Sequence, residues 1–122
     1  MGFLLVFLGA GLGGMARHAV GMAAMRLGSS FPIGTMGINI AGSVAMGLFA
    51  GWFAQRDATQ AWRLFVAVGI LGGFTTFSSY SLDAVLLLER GETGAAFLYV
   101  VGSVALGIGG LFAGLLAMRA LL

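Results

Sequence analysis

The chain has 122 residues, 60% hydrophobic and 8% charged, with a net charge of +2 from six arginines against four carboxylates. Soluble domains carry roughly a quarter of their residues as charged side chains, so this composition predicts an integral membrane protein; six scattered arginines without a lysine form no basic patch for nucleic acid. Without cysteine there is no disulfide framework, thiolate metal site or thiol catalysis, and 22 glycines lying within apolar runs point to closely packed membrane helices.

The first apolar run, Phe3 to Met25, lacks a basic leading segment and exceeds the apolar core of a signal peptide. It is expected to be the first span (3–25), followed by a turn over Arg26 to Phe31. The second span (33–54) follows the only proline, Pro32, which suits a first helical turn with Ser29 or Ser30 as the cap. The charged stretch Gln55 to Gln60 is expected to end it. The third run, Ala61 to Glu89, would be about 43 Å long as one helix against a hydrocarbon core of about 30 Å. That excess predicts a break near Gly72–Thr75, where Gly72 and Gly73 loosen the backbone. After a turn at Arg90 to Gly94, the fourth span (95–118) closes at Arg119. Residues 1–122 therefore read as a single all-α transmembrane domain of four helices, with no room for a soluble domain.

Each span carries one GxxxG: Gly9 with Gly13, Gly47 with Gly51, Gly69 with Gly73, and Gly110 with Gly114. Small residues four apart let helix backbones approach closely where the hydrophobic effect provides no drive. With the N-terminus inside, Arg56, Arg63 and Arg119 lie at the inner ends, and Arg26 and Arg90 at the outer ends with Arg17 deeper. The positive-inside rule then prefers neither orientation, and this balance is compatible with an antiparallel homodimer.

Polar side chains gather in the stretch Gly69 to Asp83, where Thr75, Thr76, Ser78, Ser79 and Ser81 interrupt the apolar run. Such a stretch must face protein, water or an ion. On the second span Thr35, Asn39 and Ser43 share one face, and on the fourth Tyr99, Ser103 and Gly107 do the same. By spacing alone Asn39 is either interhelical glue or part of a polar path. Arg17 lies about 13 Å along its helix from Arg26, so it either faces a vestibule that draws in anions or pairs with Asp83 or Glu89. His18, the lone histidine, reads as incidental. No catalytic constellation is present: Asp83 and Glu89 lie towards a helix end, and GLGGMAR is not preceded by a strand.

The motifs GGMARH, GTMGINIAGS and GGFTTFSSYSLD, on the first, second and third spans, resemble the Fluc/CrcB family of fluoride channels, and the similarity covers all four spans in order. The resemblance implies an antiparallel, dual-topology homodimer with two fluoride pores and a central structural sodium ion, in the inner (plasma) membrane. It implies that backbone carbonyls of Gly72 and Thr75 bind the sodium. It further implies that Asn39, Phe77, Ser79, Tyr80, Tyr99 and Ser103 line the fluoride path, with Arg17 in the vestibule. Tyr80 departs from the family pattern, which commonly has phenylalanine there. Two other readings remain on the residues alone: a small four-helix dual-topology multidrug/proton antiporter, and a packing subunit of a larger complex.

Overall fold

A computed structural model describes residues 1–56 and 59–122. Asp57 and Ala58, within the charged stretch expected to end the second span, lie outside the described residues. Among the described residues, four stretches are helical, long and apolar enough to cross a membrane: Gly2–Met25, Ile33–Gln55, Gln60–Glu89 and Thr93–Leu121. The first, second and fourth are single α-helices, here α1 (Gly2–Met25), α2 (Ile33–Gln55) and α6 (Thr93–Leu121).

The third is composite. It runs through α3 (Gln60–Trp62), a π-helical segment (Arg63–Leu71), α4 (Gly72–Phe74), two extended residues, Thr75 and Thr76, and α5 (Phe77–Glu89). π-Helical geometry is rare and occurs mostly as short bulges at functional sites. Gly72 and Gly73, expected to open the backbone, are themselves helical. Their small size has another use. A Cβ on Gly73 would lie 2.6 Å from the Ala10 carbonyl oxygen, so this position is kept small by the close approach of α1.

The short connections have local causes. Past the end of α5, Gly91 adopts φ +79°, its N–H reaches the Leu88 carbonyl at 3.0 Å, and the Glu92 N–H reaches the Leu87 carbonyl at 2.9 Å. This is a Schellman closure, which needs a left-handed residue at that point. Between α1 and α2 the left-handed residue is Gly28, at φ +66°. Pro32, expected in the first turn of the second helix, instead occupies its N-cap position. Ser29 does not cap α2, because its Oγ accepts the Phe31 N–H at 3.1 Å within the turn.

The helices pack as two couples, α2 along α6 and α1 along the π-helical segment and α4. The GxxxG pairs are what bring the backbones together. A Cβ on Gly9 would meet the Phe65 carbonyl oxygen at 2.5 Å and the Gly69 Cα at 2.9 Å. A Cβ on Gly13 would run into the Ile70 carbonyl. In the other couple, Gly47 is pressed against the Leu111 carbonyl and Gly114 against the Val44 carbonyl. Two contiguous runs of backbone contact result, as expected where small residues let helices associate without a hydrophobic drive. Large apolar side chains point outward instead, among them Phe3, Phe7, Phe97 and Phe112. Apolar surface of that extent requires lipid or another chain over it. The chain is thus a multi-pass membrane protein, with the extended pair Thr75–Thr76 held inside the bundle.

Candidate functional site

The backbone at the extended pair departs from the helix, with Thr75 at φ −83°, ψ 156° and Thr76 at φ −149°, ψ 119°. Inside a membrane this leaves polar groups that need partners, since each unsatisfied one costs several kcal/mol. Asn39 on α2 provides two. Its Oδ1 accepts the Thr76 N–H at 2.8 Å and its Nδ2 donates to the Thr76 carbonyl at 2.9 Å. The side-chain amide therefore pairs with Thr76 on both sides, as a neighbouring strand would. One amide N–H of Asn39 is left over, because the group carries two.

Several other polar groups of the interruption also find partners. Thr75 Oγ1 donates to the Leu71 carbonyl at 3.0 Å, and Thr76 Oγ1 caps α5 by accepting the Ser79 N–H at 3.2 Å. Arg17 reaches across from α1 to donate from Nε to the Gly73 carbonyl at 3.1 Å. In a continuous α-helix the Thr76 N–H would bond the Gly72 carbonyl, and the Ser79 N–H would bond the Thr75 carbonyl. Both donors are directed elsewhere, so the Gly72 and Thr75 carbonyls lose their regular helical partners.

On one side of the interruption lies a groove of about 340 Å³, lined by Asn39, Ser43, Thr75, Phe77, Tyr80 and Ser103 among others. Ser103 Oγ, on α6, is buried and has no hydrogen-bond partner among the described residues. Buried hydroxyls are almost always paired, so its donor capacity is unused within the described chain. Phe77 is 78% exposed, and its ring leans on that of Tyr80 with centroids 5.6 Å apart. The groove thus combines hydroxyl and amide donors with aromatic rings, whose edges carry partial positive charge.

On the other side is a cavity of about 420 Å³, lined in part by Arg17, His18, Thr35, Thr76, Ser79 and Asp83. Its lining sets the cation Arg17 among hydroxyl side chains, with the carboxylate Asp83 also on the wall. Behind it, Tyr99 is fully buried and donates to Asp83 Oδ2 at 3.1 Å. The Tyr99 ring packs edge-on against Phe31 and lies 5.3 Å from the Tyr80 ring.

The residues singled out from the sequence are therefore divided. Asn39, Thr75, Phe77, Tyr80 and Ser103 share the groove, whereas Arg17 and Ser79 line the cavity. Gly72 sits one turn before the extended pair, and Tyr99 lies in the packed core beside Leu87 and Ala96. The polar face of α2 is divided similarly: Ser43 lines the groove and Thr35 the cavity. Sequence reasoning missed Thr76, whose backbone takes both ends of the Asn39 amide and whose hydroxyl caps α5. The available signal was a threonine immediately ahead of a helical run, a usual capping position. His18, which read as incidental, lines the cavity beside Arg17.

Comparison with known proteins shows the family of the chain. The family model described as CrcB-like protein, Camphor Resistance (CrcB), matches residues 4–115. A protein of Methylobacterium nodulans named Fluoride-specific ion channel FluC is 66% identical over 117 residues, covering 95% of this chain and 94% of the relative. Fluoride-specific ion channel FluC 2 of Nitrobacter hamburgensis is 59% identical over 121 residues, covering 98% of each chain. The FluC of Rhodopseudomonas palustris is 58% identical over 123 residues, covering 99% of each. Identity of this order over nearly the whole length, with the family match spanning all four helices, makes the chain a member of the CrcB family.

Proposed function

We propose that this chain is a fluoride-selective channel that lets fluoride leave the cytoplasm passively across the inner (plasma) membrane and so gives resistance to it. The observation that carries this reading is the unpartnered Ser103 hydroxyl, buried in the groove that also holds Asn39, Phe77 and Tyr80. The names of the relatives point to the same ion.

The chemistry follows from what fluoride loses on entering. It is small and strongly hydrated, so a narrow path must replace most of its water contacts. The spare N–H of Asn39 and the Ser103 hydroxyl are compact donors suited to a small anion. Phe77 and Tyr80, turned edge-on, support negative charge without holding it tightly. Weak binding at several points permits exit, as conduction requires. Larger halides benefit less from donors so placed. Arg17 and the cavity beside it gather the anion, with Ser79 on the way in.

The working unit in this proposal is an antiparallel, dual-topology homodimer with two such paths, in which the interrupted third span crosses its copy. The near balance of arginines between the two ends supports it, as does the exposed Phe77 ring. A structural sodium ion fits the crossing: the carbonyls of Gly72 and Thr75, deprived of their helical donors, are hard oxygen ligands, and two copies would offer four. Bound there, sodium would offset the cost of burying those carbonyls. It would not be a permeating ion, and no catalytic step is involved.

The test is electrogenic release of fluoride from liposomes reconstituted with the purified protein and loaded with fluoride. Release of fluoride with retention of chloride is expected. Chloride release with fluoride retained, or proton-coupled uptake of a cationic dye as a multidrug antiporter would show, overturns the proposal.

A further inference from the structure

Tyr80 carries a hydroxyl beside the groove, and that hydroxyl is already committed. It donates to the Val100 carbonyl on α6 at 2.8 Å. Val100 lies within α6, where the Val104 N–H is its regular helical donor, and a carbonyl oxygen has a second lone pair. The bond is thus an addition to α6 and replaces nothing in it. One turn along, the opposite bond runs from Tyr99 on α6 to Asp83 on α5, at 3.1 Å. Two reciprocal tyrosine bonds therefore stitch α5 to α6, one from each side.

The stitch at Tyr80 bears on the groove in a way the other does not. The Tyr80 ring lines the groove, whereas Tyr99 is buried behind it. The Tyr80 ring also lies between two others, 5.6 Å from Phe77 and 5.3 Å from Tyr99. Phe77 is largely exposed, so Tyr80 is its brace on this side of the groove. A phenylalanine in place of Tyr80 would keep the ring but could turn about its side-chain bonds without losing a hydrogen bond. A tethered ring turns less freely, because turning it gives up the bond to the Val100 carbonyl.

We propose that the Tyr80 hydroxyl is a positioning group: its bond to the Val100 carbonyl holds the aromatic wall of the groove in place and thereby restricts passage of anions larger than fluoride. This rests on the channel reading above. Hydrogen bonds between side chains and neighbouring helices in membranes average about 0.6 kcal/mol, which corresponds to about a threefold preference for the tethered ring. Loss of the tether is therefore expected to lower the fluoride-over-chloride permeability ratio about threefold. The concentration of fluoride that half-saturates flux should not change, because the hydroxyl is given to protein and not to the ion.

The experiment measures both quantities in liposomes for the wild-type protein and Tyr80→Phe. A fall in the ratio with unchanged half-saturation supports the proposal. An unchanged ratio overturns it, and so does a rise in half-saturation, which would make the hydroxyl a donor to fluoride itself. Should Tyr80→Phe fail to fold, position 80 is filled with p-aminophenylalanine, which can still donate, and with p-methoxyphenylalanine, which cannot. The first should keep the wild-type ratio and the second should lose it; equal ratios overturn the tether. Wild-type liposomes that release no fluoride refute the channel reading, an outcome distinct from any of these.

Discussion

Replacing Asn39 by leucine, which has the same branching and number of side-chain heavy atoms, removes both bonds that the amide makes to Thr76, at 2.8 and 2.9 Å. Each half-buried backbone group left without a partner costs about 1–3 kcal/mol. The Thr76 N–H can recover part of this by returning to the Gly72 carbonyl, which would straighten the third span, and the Thr76 carbonyl, at the N-cap of α5, has the Tyr80 N–H as its helical donor. Asn39→Leu is therefore expected to lower stability by about 1–3 kcal/mol and to stop fluoride release. Stability would be read from denaturant titration of the purified protein in detergent micelles, and flux from a fluoride electrode outside loaded liposomes. The two readouts separate a clamp from a pore donor. Lost flux at wild-type stability would refute the clamp and leave Asn39 as a pore residue only; wild-type flux and stability together would refute both roles.

Ser103→Ala should behave in the opposite sense, because its hydroxyl has no partner among the described residues. Stability should change by less than about 0.5 kcal/mol, while fluoride release slows several-fold in the same electrode assay. Gly13→Ala would drive a methyl group into the Ile70 carbonyl, 2.8 Å from the Phe74 amide nitrogen, so it should cost about 2–4 kcal/mol by denaturant titration. Gly94→Ala, where a Cβ meets nothing within 4 Å, should be neutral or slightly stabilising by the same measurement. Exchange of sodium for a bulky organic cation should lower the thermal midpoint of the purified protein, and restoring sodium should recover it. An identical midpoint in both media would remove sodium from the Gly72 and Thr75 carbonyls.

The membrane class and the four helices were legible because they depend on quantities that a sequence states directly: length of apolar runs, scarcity of charge, and charged, glycine-containing turns such as Arg90 to Gly94. The GxxxG pairs announced close helix packing. They did not say which couples form, since the same pattern occurs on all four helices and only the folded chain pairs Gly9 with Gly69 and Gly47 with Leu111. The glycine pair in the third span was misleading for a related reason. Gly72 and Gly73 read as a weak point in the backbone, yet Gly73 is small to admit Ala10, and the chain opens two residues later.

Composition and periodicity thus determined, by themselves, that this is a four-helix membrane protein with polar residues at depth in its second, third and fourth helices. Apolar burial and helix propensity are local properties, summed along the chain, and need no knowledge of neighbours. Tertiary structure alone decided where the backbone opens and what each polar group serves, because a hydrogen bond joins residues far apart in sequence. Asn39 to Thr76, Arg17 to Gly73 and Tyr80 to Val100 are three such bonds. In an apolar medium no water stands in for a missing partner, so these contacts determine which donors remain free for an ion.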